Sequence, residues 1–312
     1  MESLSRANSL FALDLYRTLS ESNAEGNMFF SPLSISAALS MVYLGARGDT
    51  AKEMEKCHRF LRGFIKFILQ VLSFSSVSDV HSHFETLTST INSPSASYIL
   101  KLANRLYGEK TFSFLPNESR PVEMMYREET FPFRYIPEYK LQVLELPYEQ
   151  EELSMLILLP NETQDGSDPL LKVIWCRLES ELTLDRLLDW TRKDKMATWM
   201  DIRVHLPKFK LEVESSLSEV LQKMGMSSVF QETKADLTGM SSQDGLSISA
   251  VIHKAFVEVN EEGTEAAAAT AGFIFLCARS SESFTADHPF LFFIRHNPTN
   301  SIIFLGRFRG PS

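Results

Sequence analysis

Up to about residue 92 the apolar residues recur mostly at helical spacing, and from Tyr98 onward mostly as strands. Leu4, Leu10, Phe11, Leu13, Leu15 and Leu19 predict a first helix over residues 4–19, ended by the polar stretch Ser20–Asn27. Asn27-Met28-Phe29-Phe30 is a short apolar strand. Ser31-Pro32 then starts a second helix, with Ser31 as cap and Pro32 at the first helical position. The run Ile35–Leu44 is apolar on almost every side, which predicts burial all round. Gly45 and Gly48 end it, and Thr50 with Glu53 three residues later reads as a capping box for a third helix. Residues 79–92 read as a further helix and Tyr98–Phe112 as a long strand.

Beyond Val122 the pattern is extended: Val122–Tyr126, Thr130–Ile136, Leu141–Tyr148 and Leu153–Pro160, separated by prolines and acidic turns. One helix returns near Leu182–Trp190, a strand run follows at Ile202–Glu212, and a short helix covers Leu217–Met224. The end is a hairpin of His288–His296 and Ser301–Phe308 about Asn297-Pro298-Thr299-Asn300. Helices first and mixed strands after argue an α+β fold in one domain, residues 1–312.

Forty acidic against thirty-one basic residues give a net charge of −9, which opposes attraction to phosphate or anionic lipid, so neither nucleic acid nor a membrane is an expected partner. Cys57, Cys176 and Cys277 make neither a disulfide framework nor a cysteine zinc site, and fit a reducing compartment. No basic region precedes a continuous apolar stretch near Met1, and no run reaches the roughly eighteen apolar residues of a spanning helix. The expectation is a soluble monomer with no cofactor and no metal.

Enzyme motifs are missing: no GxSxG, HExxH, P-loop, GxGxxG or EF-hand loop. His81 and His83 are two apart and cannot share a metal from one helix face, and the remaining histidines are scattered. Cys277 has Phe275, Leu276 and Ala278 about it, with no base to activate a nucleophile.

The most informative segment runs from His253 to Gly272. Its first part alternates as a strand; its second, Thr264-Glu265-Ala266-Ala267-Ala268-Ala269-Thr270-Ala271-Gly272, is small and nearly featureless. Composition alone favours an alanine helix or a flexible tether. The functional reading is a loop whose small side chains allow it to enter a packed sheet as a new strand.

This segment, together with Phe284–Ile294 and the opening Asn27–Met54, resembles the hinge, C-terminal signature and N-terminal strand-and-helix of the serpins. A first helix beginning almost at Met1 and an end just past Gly306-Arg307-Phe308 resemble the intracellular, ovalbumin-type branch, which implies a cytoplasmic address with unconventional release as a route outside. The resemblance implies a serpin-like domain with a mobile reactive loop at about 261–283. It also implies a suicide inhibitor of serine proteases: the protease cuts the loop, an acyl-enzyme forms, and the loop inserts into the main sheet. Family spacing from Gly263 puts the reactive bond at Cys277-Ala278, with Leu276-Cys277 as the near alternative and Phe275 and Leu276 as specificity residues for elastase-like and chymotrypsin-like proteases. The hinge would be Glu262, Gly263, Thr264, Glu265, Ala266, Ala267, Ala268, Ala269 and Thr270, with Thr264, Ala266, Ala268 and Thr270 facing inward after insertion. Ser31, Ser34 and His253 match a polar cluster beneath the main sheet, the shutter.

The chain departs from the family pattern at about 115–122. Several dozen family residues have no counterpart there, among them a helix, an edge strand and the central strand beside which the loop inserts, so the main sheet is expected to lack strands. Residues 61–74 and 173–177 read as inserts. These departures support a second expectation, a non-inhibitory serpin-family interaction or substrate-like protein.

Overall fold

Five helices and eleven strands carry the architecture of the described residues. The helices are α1 (Glu2–Ser22), α2 (Pro32–Gly45), α3 (Gly48–Cys57), α4 (Leu184–Trp190) and α5 (Ser218–Lys223). The strands are β1 (Met28–Phe30), β2 (Met124–Glu129), β3 (Phe133–Ile136), β4 (Leu141–Pro147), β5 (Leu153–Pro160), β6 (Asp201–Pro207), β7 (Phe209–Ser216), β8 (Ile252–Val259), β9 (Ser281–Thr285), β10 (Phe290–His296) and β11 (Ser301–Phe308). The computed structural model describes residues 2–24, 26–57, 122–161, 178–241, 245–260 and 281–310. The expected helix at 79–92, the strand at 98–112, the inserts and the gap at 115–122 all lie outside these residues.

A six-stranded antiparallel sheet, ordered β1-β11-β10-β5-β4-β3, forms the centre. β5 is buried along its whole length and β10 along nearly all of it, which is why both are continuous apolar runs in the sequence. Alternate side chains serve two cores. Leu156, Leu158, Leu291 and Phe293 join the helical side with Phe11, Leu15, Leu39 and Leu187. Ile157, Leu159, Phe290 and Phe292 join the opposite side with Ile202, Phe209, Val257 and Phe284.

On that opposite side lie, among the described residues, a three-stranded sheet, β2-β6-β9, and a two-stranded one, β7-β8. The strands expected at 202–212 are two, and they lie in different sheets. Pro207 ends β6, the Lys208 N–H carries the β2 ladder one residue further by donating to the Glu123 carbonyl at 2.8 Å, and Phe209 starts the next strand.

The helices differ from expectation in two places. α2 buries the face of Ile35, Ser36, Leu39 and Ser40, but Met41 and Leu44 are more than half exposed, so it is not buried all round. The Thr50–Glu53 capping box does not form, because α3 already begins at Gly48. Thr50 Oγ1 instead accepts from the Asp236 N–H at 2.9 Å, and the Glu53 carboxylate accepts from the N–H and hydroxyl groups of Ser227 and Ser228 at 2.7–3.2 Å. Desolvation pushes the Glu53 carboxyl up, and these four hydrogen bonds outweigh it and hold the group below its ordinary value.

Candidate functional site

The Ser31-Pro32 start of α2 forms as the sequence suggests. Ser31 is extended, its Oγ accepts from the Ser34 N–H at 3.2 Å, and Pro32 occupies the first turn. The same hydroxyl donates to the Ile303 carbonyl of β11 at 2.9 Å. Capping and tethering therefore use one oxygen, and the residue is fully buried.

Its main chain makes the third link. The Ser31 N–H donates to His253 Nε2 at 3.0 Å, and His253, on β8 opposite Ser215 of β7, is itself buried. Because Nε2 accepts, the neutral ring carries its proton on Nδ1. Burial lowers the His253 pKa to about 4. Protonation would also set a new N–H against the Ser31 N–H, so the geometry opposes the charge in the same direction as the desolvation. The structure thus brings Ser31, Ser34 and His253 together, with Ser34 joining through its main-chain N–H. The Ile303 carbonyl was not foreseen; a main-chain acceptor carries no side-chain signal.

This knot ties the central sheet, through Ile303, to the two-stranded sheet, through His253. β8 runs from it to Val259, and β9 starts at Ser281 and pairs in parallel with β6 in the other small sheet. The expected hinge residues 262–270, the specificity residues Phe275 and Leu276 and the reactive bond Cys277-Ala278 lie between these anchors, outside the described residues. Among the described residues no group of three or more His, Cys, Asp or Glu could hold a metal, and no helix is long and apolar enough to cross a membrane.

Comparison with known proteins decides the family. Residues 6–117 and 110–311 match the model for Serpin (serine protease inhibitor). The chain is a serpin. Leukocyte elastase inhibitors from Homo sapiens and Sus scrofa are 40% and 41% identical to it over 399 aligned positions, covering all of both chains in each case. Uncleaved ovalbumin superposes with a TM-score of 0.72 at 30% identity, over 99% of this chain and 100% of ovalbumin, and a tumour-suppressing serpin with 0.71 at 25% over all of both chains. These relatives place the serpin in the ovalbumin-type branch, within a family of protease inhibitors and not of enzymes. The two family segments meet at 110–117, and an alignment of 399 positions against 312 residues leaves 87 positions that this chain does not fill.

Proposed function

We propose that this serpin inhibits elastase-like and chymotrypsin-like serine proteases as a suicide substrate cut at Cys277-Ala278. What carries the reading is full-length identity of about 40% to leukocyte elastase inhibitors, joined to a hinge made only of small residues at its inward positions. The protease's serine oxygen attacks the Cys277 carbonyl and its proton passes to the departing Ala278 amine, leaving an ester between enzyme and Cys277. Glu262–Thr270 then enter the sheet beside β8. Thr264, Ala266, Ala268 and Thr270 fit where a larger or charged side chain would have to be buried unpaired. Ser31, Ser34 and His253 act as the shutter that this entry must pass. The protein works as a cytoplasmic monomer, without cofactor.

A second reading has one specific observation in its favour. The family model matches in two segments that overlap at 110–117, beside the gap expected at about 115–122 in which the family pattern carries the strand bordering the insertion slot, and the alignment as a whole leaves 87 positions unfilled. On that reading the loop is cut and the protease released. Incubation with an elastase-like and a chymotrypsin-like protease, followed by a denaturing gel and mass spectrometry of the released peptide, separates the two. A band at the summed mass, with a peptide beginning at Ala278, is the expected result. A clean nick at 277–278 without that band establishes the substrate-like reading.

A further inference from the structure

The three-stranded sheet has a defined end at which the reactive loop re-enters the fold. β6 and β9 are parallel with Asp201 opposite Ser281, and β2 is antiparallel with Glu129 opposite Ile202. The starts of β6 and β9 and the finish of β2 therefore share one end. Residues 197–200, which feed β6, lie at that end. Ala197 and Phe133 exchange both main-chain hydrogen bonds, at 2.7 and 3.0 Å, and Met200 packs against the core that holds Ile202 and Phe284. Thr130 Oγ1 donates to Asp201 Oδ1 at 2.7 Å, closing the same edge.

On this pinned backbone Trp199 is 67% exposed, more than any other large apolar side chain among the described residues. A single exposed apolar residue is ordinary on a protein surface. The position is what sets this one apart. Ala278 precedes Ser281 by three residues, and at about 3.6 Å per extended residue its Cα lies within about 11 Å of the β9 start, whatever path the chain takes. A globular enzyme of about 200 residues has a radius of gyration near 16 Å, so one seated on the 277–278 bond overhangs this end of the sheet. Tryptophan buries the largest contact area of any side chain and is enriched among residues that dominate binding energy. Here its backbone is already fixed, so little ordering entropy opposes the contact.

We propose that Trp199 is a second anchor for the attacking protease, taking an apolar or guanidinium-bearing patch on the enzyme's rim outside its active-site cleft. This rests on the reading of Cys277-Ala278 as the reactive bond. It makes partner choice depend on the sheet end as well as on the loop.

The test uses the full chain and an elastase-like protease whose nucleophilic serine is replaced by alanine, so that the encounter is reversible. Trp199→Ala is expected to weaken that encounter on the order of tenfold and to slow inhibition of the active enzyme by a similar factor, with the melting temperature unchanged. Trp199→Phe should recover most of the loss. Equal affinity of parent and Trp199→Ala within twofold, with the parent still cut at 277–278, overturns the anchor and leaves Cys277-Ala278 standing as the reactive bond. A parent that neither binds the protease nor is cut at that bond overturns both.

Discussion

A histidine that accepts a main-chain hydrogen bond in a dry site is stable only while neutral, and His253 makes this serpin's folding depend on pH. Its native pKa is lowered to about 4 by burial, against about 6.5 in the unfolded chain. Between those values the unfolded state binds a proton that the native state refuses, so the stability His253 contributes is complete above about pH 6.5 and is lost as pH falls toward 4. The full term is on the order of 3 kcal/mol. Chemical denaturation at intervals from pH 7.5 to 4 should trace that fall, and His253→Gln should flatten it while losing stability at pH 7. A slope unchanged in the variant would mean that other groups carry the pH dependence. Gly306 is a second such position. A Cβ there would come within 2.6 Å of the Phe292 ring and 3.0 Å of the Met28 carbonyl, in a layer where Phe29 stacks on Phe304 at 5.0 Å between centroids. Gly306→Ala should therefore destabilise by about 1–3 kcal/mol through overpacking, measurable as a lower urea midpoint at unchanged slope.

At the scale of elements, β4 and β10 are joined by more than their shared neighbour β5. Arg295 lies opposite Ser154 and Glu145 opposite Leu156, and the guanidinium reaches over the small, fully buried Ser154 to the Glu145 carboxylate at 3.0 Å. Both charges are almost completely buried, and Glu145 Oε2 has no hydrogen-bond partner among the described residues. A pair so incompletely satisfied gains little over an apolar pair, yet breaking it strands a buried charge. Glu145→Gln should cost about 3–5 kcal/mol, and Glu145→Leu combined with Arg295→Met should recover most of it in the same unfolding assay. Strand order of this kind was only partly legible. Leu153–Pro160 announces itself as a strand because both faces are buried, and α2 because Ser31-Pro32 is a local signal that acts locally. The division of residues 202–212 between two sheets was not legible, since Pro207 marks a break without saying which sheet follows. Thr50 and Glu53 misled for a related reason. Their side chains are spent on the distant segment 227–236, a tertiary choice that no local spacing records. In the candidate site the grouping of Ser31, Ser34 and His253 follows the family pattern, whereas the placement of Trp199 goes with the bridge between Phe133 and Ala197, which pairs residues far apart in the chain.

For the whole molecule, the decisive quantity is whether cutting the loop releases free energy into the fold. β8 and β9 belong to different sheets, so the intact connection is tethered at Val259 in one and at Ser281, in register with Asp201, in the other. A cut at 277–278 removes only the second constraint. If the sheet that contains β7 and β8 still offers a slot, the freed hinge adds a strand, gains its ladder hydrogen bonds and buries the small side chains at 264, 266, 268 and 270. Cleaved protein should then melt at a clearly higher temperature than intact protein. Thr264→Arg should be cut at the same rate but show no such rise and form no covalent complex, because insertion would bury an unpaired guanidinium. Calorimetry before and after a limiting nick reads this without any need to trap a protease. A rise in the parent that is absent in Thr264→Arg ties inhibition to strand addition. Equal melting of cut and uncut parent would show that this chain has no slot for the hinge, leaving a serpin that presents its bait and lets the protease go.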